Sequence, residues 1–196
     1  MKRTTPLYIP ATPEGPRPPA ILTNDPSFTA WGWAVLTPAS RILETGCIKT
    51  EPKGKKLRVR KGDDRVRRTK EICTQLLAVI KKYDVQFMIS ELPHGSQNAQ
   101  AAIMMGVVVG ILEGISCTTG ISLEWFSEGD AKMSVLGKKS ASKLEMLDAI
   151  DGFYDVQWPN VGYKDEAIAD AIAVYHVARI QSPTFALLHK MFLGKE

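Results

Sequence analysis

Apolar positions along this chain fall into short dense runs and longer stretches with helical spacing. Ile21-Leu22-Thr23, ending at Asn24-Asp25, reads as a short buried strand. Trp31 to Leu36 and Ile42 to Lys49 read as two further strands joined by a turn at Pro38-Ala39-Ser40, giving an antiparallel meander. A helix should follow, with Asp63 and Asp64 near its start and Val66, Ile72, Leu76, Leu77 and Ile80 on one face. Val85 to Ser90 is a fourth strand that stops at Glu91, and Pro93 and Gly95 then break the chain. The pattern predicts a helix from Gln97 to about Cys117 and a fifth strand from Ile121 to Phe126. A short helix near Asp130 to Leu136, a helix from Ser140 to Ile150 and a core helix from Asp165 to about Ile180 complete the series.

This alternation predicts an α/β fold, a mixed sheet of about five strands flanked by helices. Six prolines between Pro6 and Pro19 make residues 1–19 an extended tail. Residues 20–182 should form one domain. Residues 183–196, with Phe185, Leu187, Leu188, Met191 and Phe192, should form a short amphipathic tail helix.

The helix after Glu91 carries Gly106, Gly110 and Gly114 at successive fourth positions, which places all three on one face. Each glycine costs about 1 kcal/mol of helix stability against alanine. Close approach of another backbone, in the sheet or in a second subunit, would offset that cost.

Composition narrows the class only slightly. The 196 residues are 44% hydrophobic and 23% charged, as in ordinary soluble proteins. Three scattered cysteines make neither a zinc signature nor a disulfide scaffold. The first residues lack the apolar core of a signal peptide, and the run from Ala101 to Ile115 is short for a membrane span. The expected location is a reducing cytoplasm. The net charge of +4 permits an anionic partner without demanding one. Its distribution says more: Lys53, Lys55, Lys56, Arg58, Arg60 and Lys61 precede Arg65, Arg67, Arg68 and Lys70. That run is either a solvated loop and helix face or an edge that contacts phosphates.

Three acids stand out by position. Asp25 ends the first strand and Glu91 the fourth, and strand ends are where open α/β sheets gather their sites. Asp170 interrupts an otherwise small and apolar helix, where a charge needs solvent, a cation or a metal. Together they fit a magnesium site, since hard cations take oxygen ligands and two ions can clamp a phosphodiester.

On these residues the chain resembles the RuvC family of Holliday-junction resolvases, over most of Ile21 to Arg179. Asp25-Pro26-Ser27 and then Gly32-Trp33 resemble the family's opening strand, and Glu91 leads to Asn98 as its second acid leads to an asparagine. Gly106 and Gly110 match a glycine-spaced helix. Lys132-Met133-Ser134-Val135-Leu136-Gly137, then Ser140-Ala141-Ser142-Lys143, match its lysine motifs. Ala169-Asp170-Ala171-Ile172-Ala173 matches its closing helix.

The resemblance implies a ribonuclease H-like fold and an endonuclease of DNA recombination and repair that cuts branched DNA. It implies two Mg2+ ions per subunit, replaceable by Mn2+, on Asp25, Glu91 and Asp170. It also implies that Lys132 and Lys143 hold the scissile phosphates, that Lys138 and Lys139 extend that patch, and that the protein is a homodimer. Diverged resolvases of this kind are typical of phages, which suggests a phage source. Rival readings within the fold are a nuclease of flaps or hybrids and a non-catalytic DNA-binding module.

The chain departs from the family pattern in places. Ser27 replaces a glycine. His94 stands where an aromatic wedge stacks on junction bases, and histidine can stack too. Ala167 falls where a fourth acid is expected. Glu166 lies about 40° from Asp170 around the helix and Asp165 about 140°. Glu166 is therefore expected at the metal and Asp165 at the helix cap. The DNA-binding set expected from the sequence is His94, Asn98, Lys132, Lys138, Lys139, Lys143, Arg65, Arg67 and Arg68.

Overall fold

The computed structural model of the chain describes residues 18–53 and 59–192. Most of the expected N-terminal tail, and Lys55, Lys56 and Arg58 of the basic run, lie outside the described residues. The strands are β1 (Ala20–Asp25), β2 (Ala30–Leu36), β3 (Ile42–Lys49), β4 (Val85–Glu91) and β5 (Ser122–Phe126). The helices are α1 (Lys61–Tyr83), α2 (Ala99–Thr119), α3 (Glu128–Leu136), α4 (Lys143–Phe153), α5 (Gly162–Gln181) and α6 (Pro183–Phe192).

The sheet runs in the order β3-β2-β1-β4-β5. The first three strands form the expected antiparallel meander, and β4 and β5 add in parallel to β1. Both sheet faces are covered, which is why the strand runs are dense rather than alternating. Ile21, Phe87 and Ile89 pack with α3, α4 and α5 on one face. Leu22, Trp31, Val35 and Met88 pack with α1 and α2 on the other.

The central element is α5, whose Ala167 to Ala169 and Ala171 to Tyr175 are all buried. Small side chains let it lie close on the sheet, and Gly32 of β2 completes the fit. A Cβ at Gly32 would fall 1.9 Å from the carbonyl oxygen of Ala167. Beyond α5, α6 returns Phe185 into the core, where its ring meets that of Tyr175 edge-on at 5.2 Å.

Several expectations are corrected. The buried face of α1 is Asp64, Arg68, Ile72, Leu76, Val79 and Ile80. Val66 and Leu77 are exposed instead, because they sit off that stripe. Helix α3 starts at Glu128, where Ser127 caps it. Helix α4 starts at Lys143 rather than Ser140, because Ser142 and Glu145 form a capping box. Helix α5 starts at Gly162, three residues before Asp165. Asp165 is therefore inside the first turns and is not the cap.

Helix α2 is longer than its apolar run suggested, 21 residues, and passes for a membrane span by length and composition. One face of it, Val108, Ile111, Leu112 and Ile115, is buried against the sheet. A Cβ at Gly106, Gly110 or Gly114 would meet nothing within 4 Å. Packing of the glycines on their own sheet is thus ruled out among the described residues.

Candidate active site

The parallel pairing of β1 with β4 puts Asn24 opposite Ser90 and so brings Asp25 and Glu91 to the same end of the sheet. Asn24 is buried beneath them; it donates to the Ile89 carbonyl at 3.3 Å and accepts from the Trp31 indole at 3.1 Å. After Asp25-Pro26, the Ser27 hydroxyl accepts from the amides of Thr29 and Ala30, both at 3.4 Å, and ties the turn down. Ser27 has no positive φ, so serine in place of glycine strains nothing. Asp25 and Glu91 line a cleft of about 510 Å³ together with Ser27, Phe28, His94 and Met104.

Helix α5 brings the third acid. Burial pushes the Asp25 carboxyl up to about 8, helped by the negative charges of Asp170 and Glu128. Burial likewise pushes Glu91 up to about 9, with Asp25, Asp170 and Glu128 adding repulsion. Asp170 rises to about 6, mainly through burial, with Lys143 opposing the shift. The three acids expected from the sequence therefore share one electrostatic site.

Such a cluster holds protons unless a cation replaces them. The two nearby lysines do not suffice. Lys132 is ion-paired with Glu128 and Lys143 with Glu166. These pairs pull the Glu128 carboxyl below its ordinary value and raise the Lys143 ammonium. An all-oxygen set on several elements, short of positive charge, fits a hard divalent cation.

Glu128 was missed in the sequence. It lies two residues past the end of β5, the same kind of position as Asp25 and Glu91, and that was the available signal. It was masked by an ordinary alternative, an acidic residue in the first turn of a helix. The expected helix start at Asp130 also placed it in a loop.

The other expected residues divide. His94 reaches the cluster, with its Nδ1 3.6 Å from Glu128. Glu166 is on the Asp170 side of α5, where it adds to the repulsion on that acid and pairs with Lys143. Lys138 pairs with Glu145 outside the cluster, and Lys139 is exposed beside it. Asn98 caps α2, accepting from the Gln100 and Ala101 amides at 2.9 and 3.2 Å.

The basic helix is corrected more strongly. Arg68 is buried, donating to Thr50 Oγ1 and to the Phe28 carbonyl, both at 2.9 Å, with its guanidinium 4.3 Å from the Phe28 ring centre. It locks α1 to the β1–β2 turn and does not belong to a solvent-facing phosphate edge. Arg67 is engaged by Asp64 and Glu71 at 3.0 and 2.9 Å. Arg65 reaches across to Gln100 of α2.

The family model described as crossover junction endodeoxyribonuclease RuvC matches residues 21–176. A crossover junction endodeoxyribonuclease RuvC of Prosthecochloris aestuarii is 27% identical over 107 residues, 55% of this chain and 56% of that protein. The chain thus matches little more than half the length of that curated relative. Among solved structures, Thermus thermophilus RuvC in complex with a Holliday junction substrate superposes with a TM-score of 0.65 at 19% identity. That match covers 82% of this chain and 95% of the other. The yeast mitochondrial Holliday junction resolvase gives 0.60 at 14% identity, covering 91% and 84%. These structural likenesses show the fold, that of the RuvC structures.

Proposed function

The chain belongs to the RuvC family of crossover junction endodeoxyribonucleases, and we propose that it cuts Holliday junctions and other branched DNA by metal-dependent phosphodiester hydrolysis. The observation that carries this reading is the convergence of Asp25, Glu91 and Asp170, from β1, β4 and α5, on one proton-holding cluster. Asp25, Glu91 and Asp170 hold the cation site, and Glu166 is the fourth acid beside it. These residues would hold two Mg2+ ions, or Mn2+ in their place, which when bound would supply Lewis acidity toward the phosphate and toward the attacking water.

The chain's own residues bind and orient the DNA. Lys132 and Lys143, whose charges act on the clustered acids, receive the scissile-strand phosphate as they leave Glu128 and Glu166. Lys138, Lys139, Asn98, His94, Arg65 and Arg67 extend the contact surface on either side. Arg68 holds the floor in place.

A four-way junction presents two equivalent strands, which a two-fold dimer can cut symmetrically. The open glycine face of α2, next to the exposed Ile103, supports a homodimer formed through that helix. The working location is the cytoplasm of a bacterium or of a phage-infected host, in recombination and repair.

The test is incubation of the protein with labelled four-way, three-way, flap and linear DNAs, with and without magnesium. Symmetric, magnesium-dependent incision of the four-way junction by a two-subunit complex is expected. Cutting of flaps or RNA–DNA hybrids in preference would replace this reading with a general ribonuclease H-type nuclease.

A further inference from the structure

Glu128 and His94 lie outside the acids that the family pattern supplied, yet both reach the same cluster. One ligand atom from each of Glu91, His94 and Glu128 lies within 4.8 Å of the other two. They come from three places: the end of β4, the loop behind it and the first residue of α3. The Glu128 carboxylate is divided between neighbours, with Oε1 to Lys132 and Oε2 facing His94 Nδ1.

Two atoms bound to one ion at about 2.1 Å each can be no more than about 4.2 Å apart. The present spacing exceeds that by a shift of less than about an ångström. His94 and Glu128 keep 59% and 43% of their side-chain surface exposed, so both have room to make it. Two carboxylates and an imidazole are a different donor set from the all-oxygen group of Asp25, Glu91 and Asp170. Oxygen alone suits Mg2+, whereas a ring nitrogen adds affinity for first-row transition ions, least for Mn2+ and more for Zn2+.

We propose that Glu91, His94 and Glu128 form a subsite for a divalent transition ion such as Mn2+ or Zn2+, with His94 as its nitrogen ligand and Glu128 as its second carboxylate. The proposal deepens the nuclease reading, on which it rests for the role of Glu91. It gives His94 a metal in place of a stacked base, and it links ion entry to release of Lys132 from Glu128.

The test is a Mn2+ titration of the full chain followed by electron paramagnetic resonance, with Mg2+ as competitor. His94→Phe keeps a ring that can stack on a base but cannot ligate; His94→Ala keeps neither property. Both variants should bind Mn2+ about tenfold or more weakly, and Mg2+ nearly as well as wild type. Nitrogen hyperfine coupling to Mn2+ should be present in the wild type and absent in His94→Phe. Glu128→Gln should weaken Mn2+ binding while leaving the circular dichroism spectrum unchanged. A His94→Phe protein with wild-type Mn2+ affinity, or with equal losses for Mn2+ and Mg2+, overturns the subsite. If that variant keeps full Mn2+ affinity while the wild type cuts junctions, only the subsite fails. If Mn2+ binding depends on His94 but the wild type cuts no branched DNA, only the nuclease reading fails.

Discussion

Gly32 on β2 and Ala167 on α5 touch through backbone: a Cβ added to Gly32 would lie 1.9 Å from the Ala167 carbonyl oxygen and 2.9 Å from its Cβ. Gly32 is also the strand partner of Asp25, and Ala167 lies three residues before Asp170. One contact therefore sets the depth of α5 and, with it, the approach of two acids. Gly32→Ala should push the helix outward and cost about 1–3 kcal/mol of stability through overpacking. Chemical denaturation checks the stability, and cleavage kinetics should show a larger fractional loss. A variant as stable as wild type would mean that α5 is not seated on the sheet as described.

Asp25→Asn removes one charge from the cluster while keeping its shape. Junction affinity, read by gel shift, should survive, and magnesium-dependent cutting should fall by orders of magnitude. The metal-free variant should melt higher than the metal-free wild type, since an amide avoids the cost of burying an ionisable carboxyl, which raises Asp25 to about 8. Near-normal cleavage by the pure variant would remove Asp25 from the site.

The raised carboxyls fix the sign of a pH effect. With Asp25 at about 8, Glu91 at about 9 and Asp170 at about 6, the folded chain keeps protons that the unfolded chain has released above its ordinary values of 3.8 and 4.5. The unfolded state binds fewer protons across that window, so metal-free stability should fall as pH rises from about 4 to about 9. Saturating Mg2+ should flatten the decline, because the ion binds the deprotonated cluster. Denaturation midpoints with chelator and with Mg2+ decide the matter. Metal-free stability that climbs over the window contradicts the proton-holding cluster.

Arg68 should behave as a structural residue. Arg68→Ala removes the donor to Thr50 Oγ1 and one of the two donors to the Phe28 carbonyl, which keeps the Thr50 hydroxyl, and should cost about 1–3 kcal/mol. Arg65→Ala, at a partly exposed position, should leave stability within about 0.5 kcal/mol and weaken DNA binding in low salt. Equal stability of the two variants would return Arg68 to the surface.

Glu166 and Asp165 should separate cleanly. Glu166→Gln releases Lys143 from its ion pair and should depress cutting strongly with little change in melting temperature. Asp165 Oδ1 is buried without a hydrogen-bond partner among the described residues, and α5 begins three residues earlier. Asp165→Ala should then cost less than the ~1 kcal/mol of a lost cap. A dead but well-folded Asp165→Ala protein, beside an active Glu166→Gln one, would reverse the assignment.

By itself, the sequence determined the strand and helix series, the mixed sheet and three of the clustered acids. Dense apolar runs and abrupt breaks at Asp25 and Glu91 are local signals, and Asp170 stands out because its neighbours are small and apolar. Only the tertiary structure decided the rest. Arg68 and Arg65 belong to the same basic run, but burial depends on which side of α1 meets Phe28 and Thr50, elements distant in sequence. The start of α4 moved because Ser142 and Glu145 cap it, hydrogen bonds that apolar spacing does not encode, whereas α5 begins at Gly162 with no side-chain cap at all. Glu128 became part of the site because β5 runs parallel to β4 and delivers its end beside Glu91. That neighbourhood is a property of strand order, and strand order follows from how the whole sheet is covered by helices rather than from any residue near Glu128.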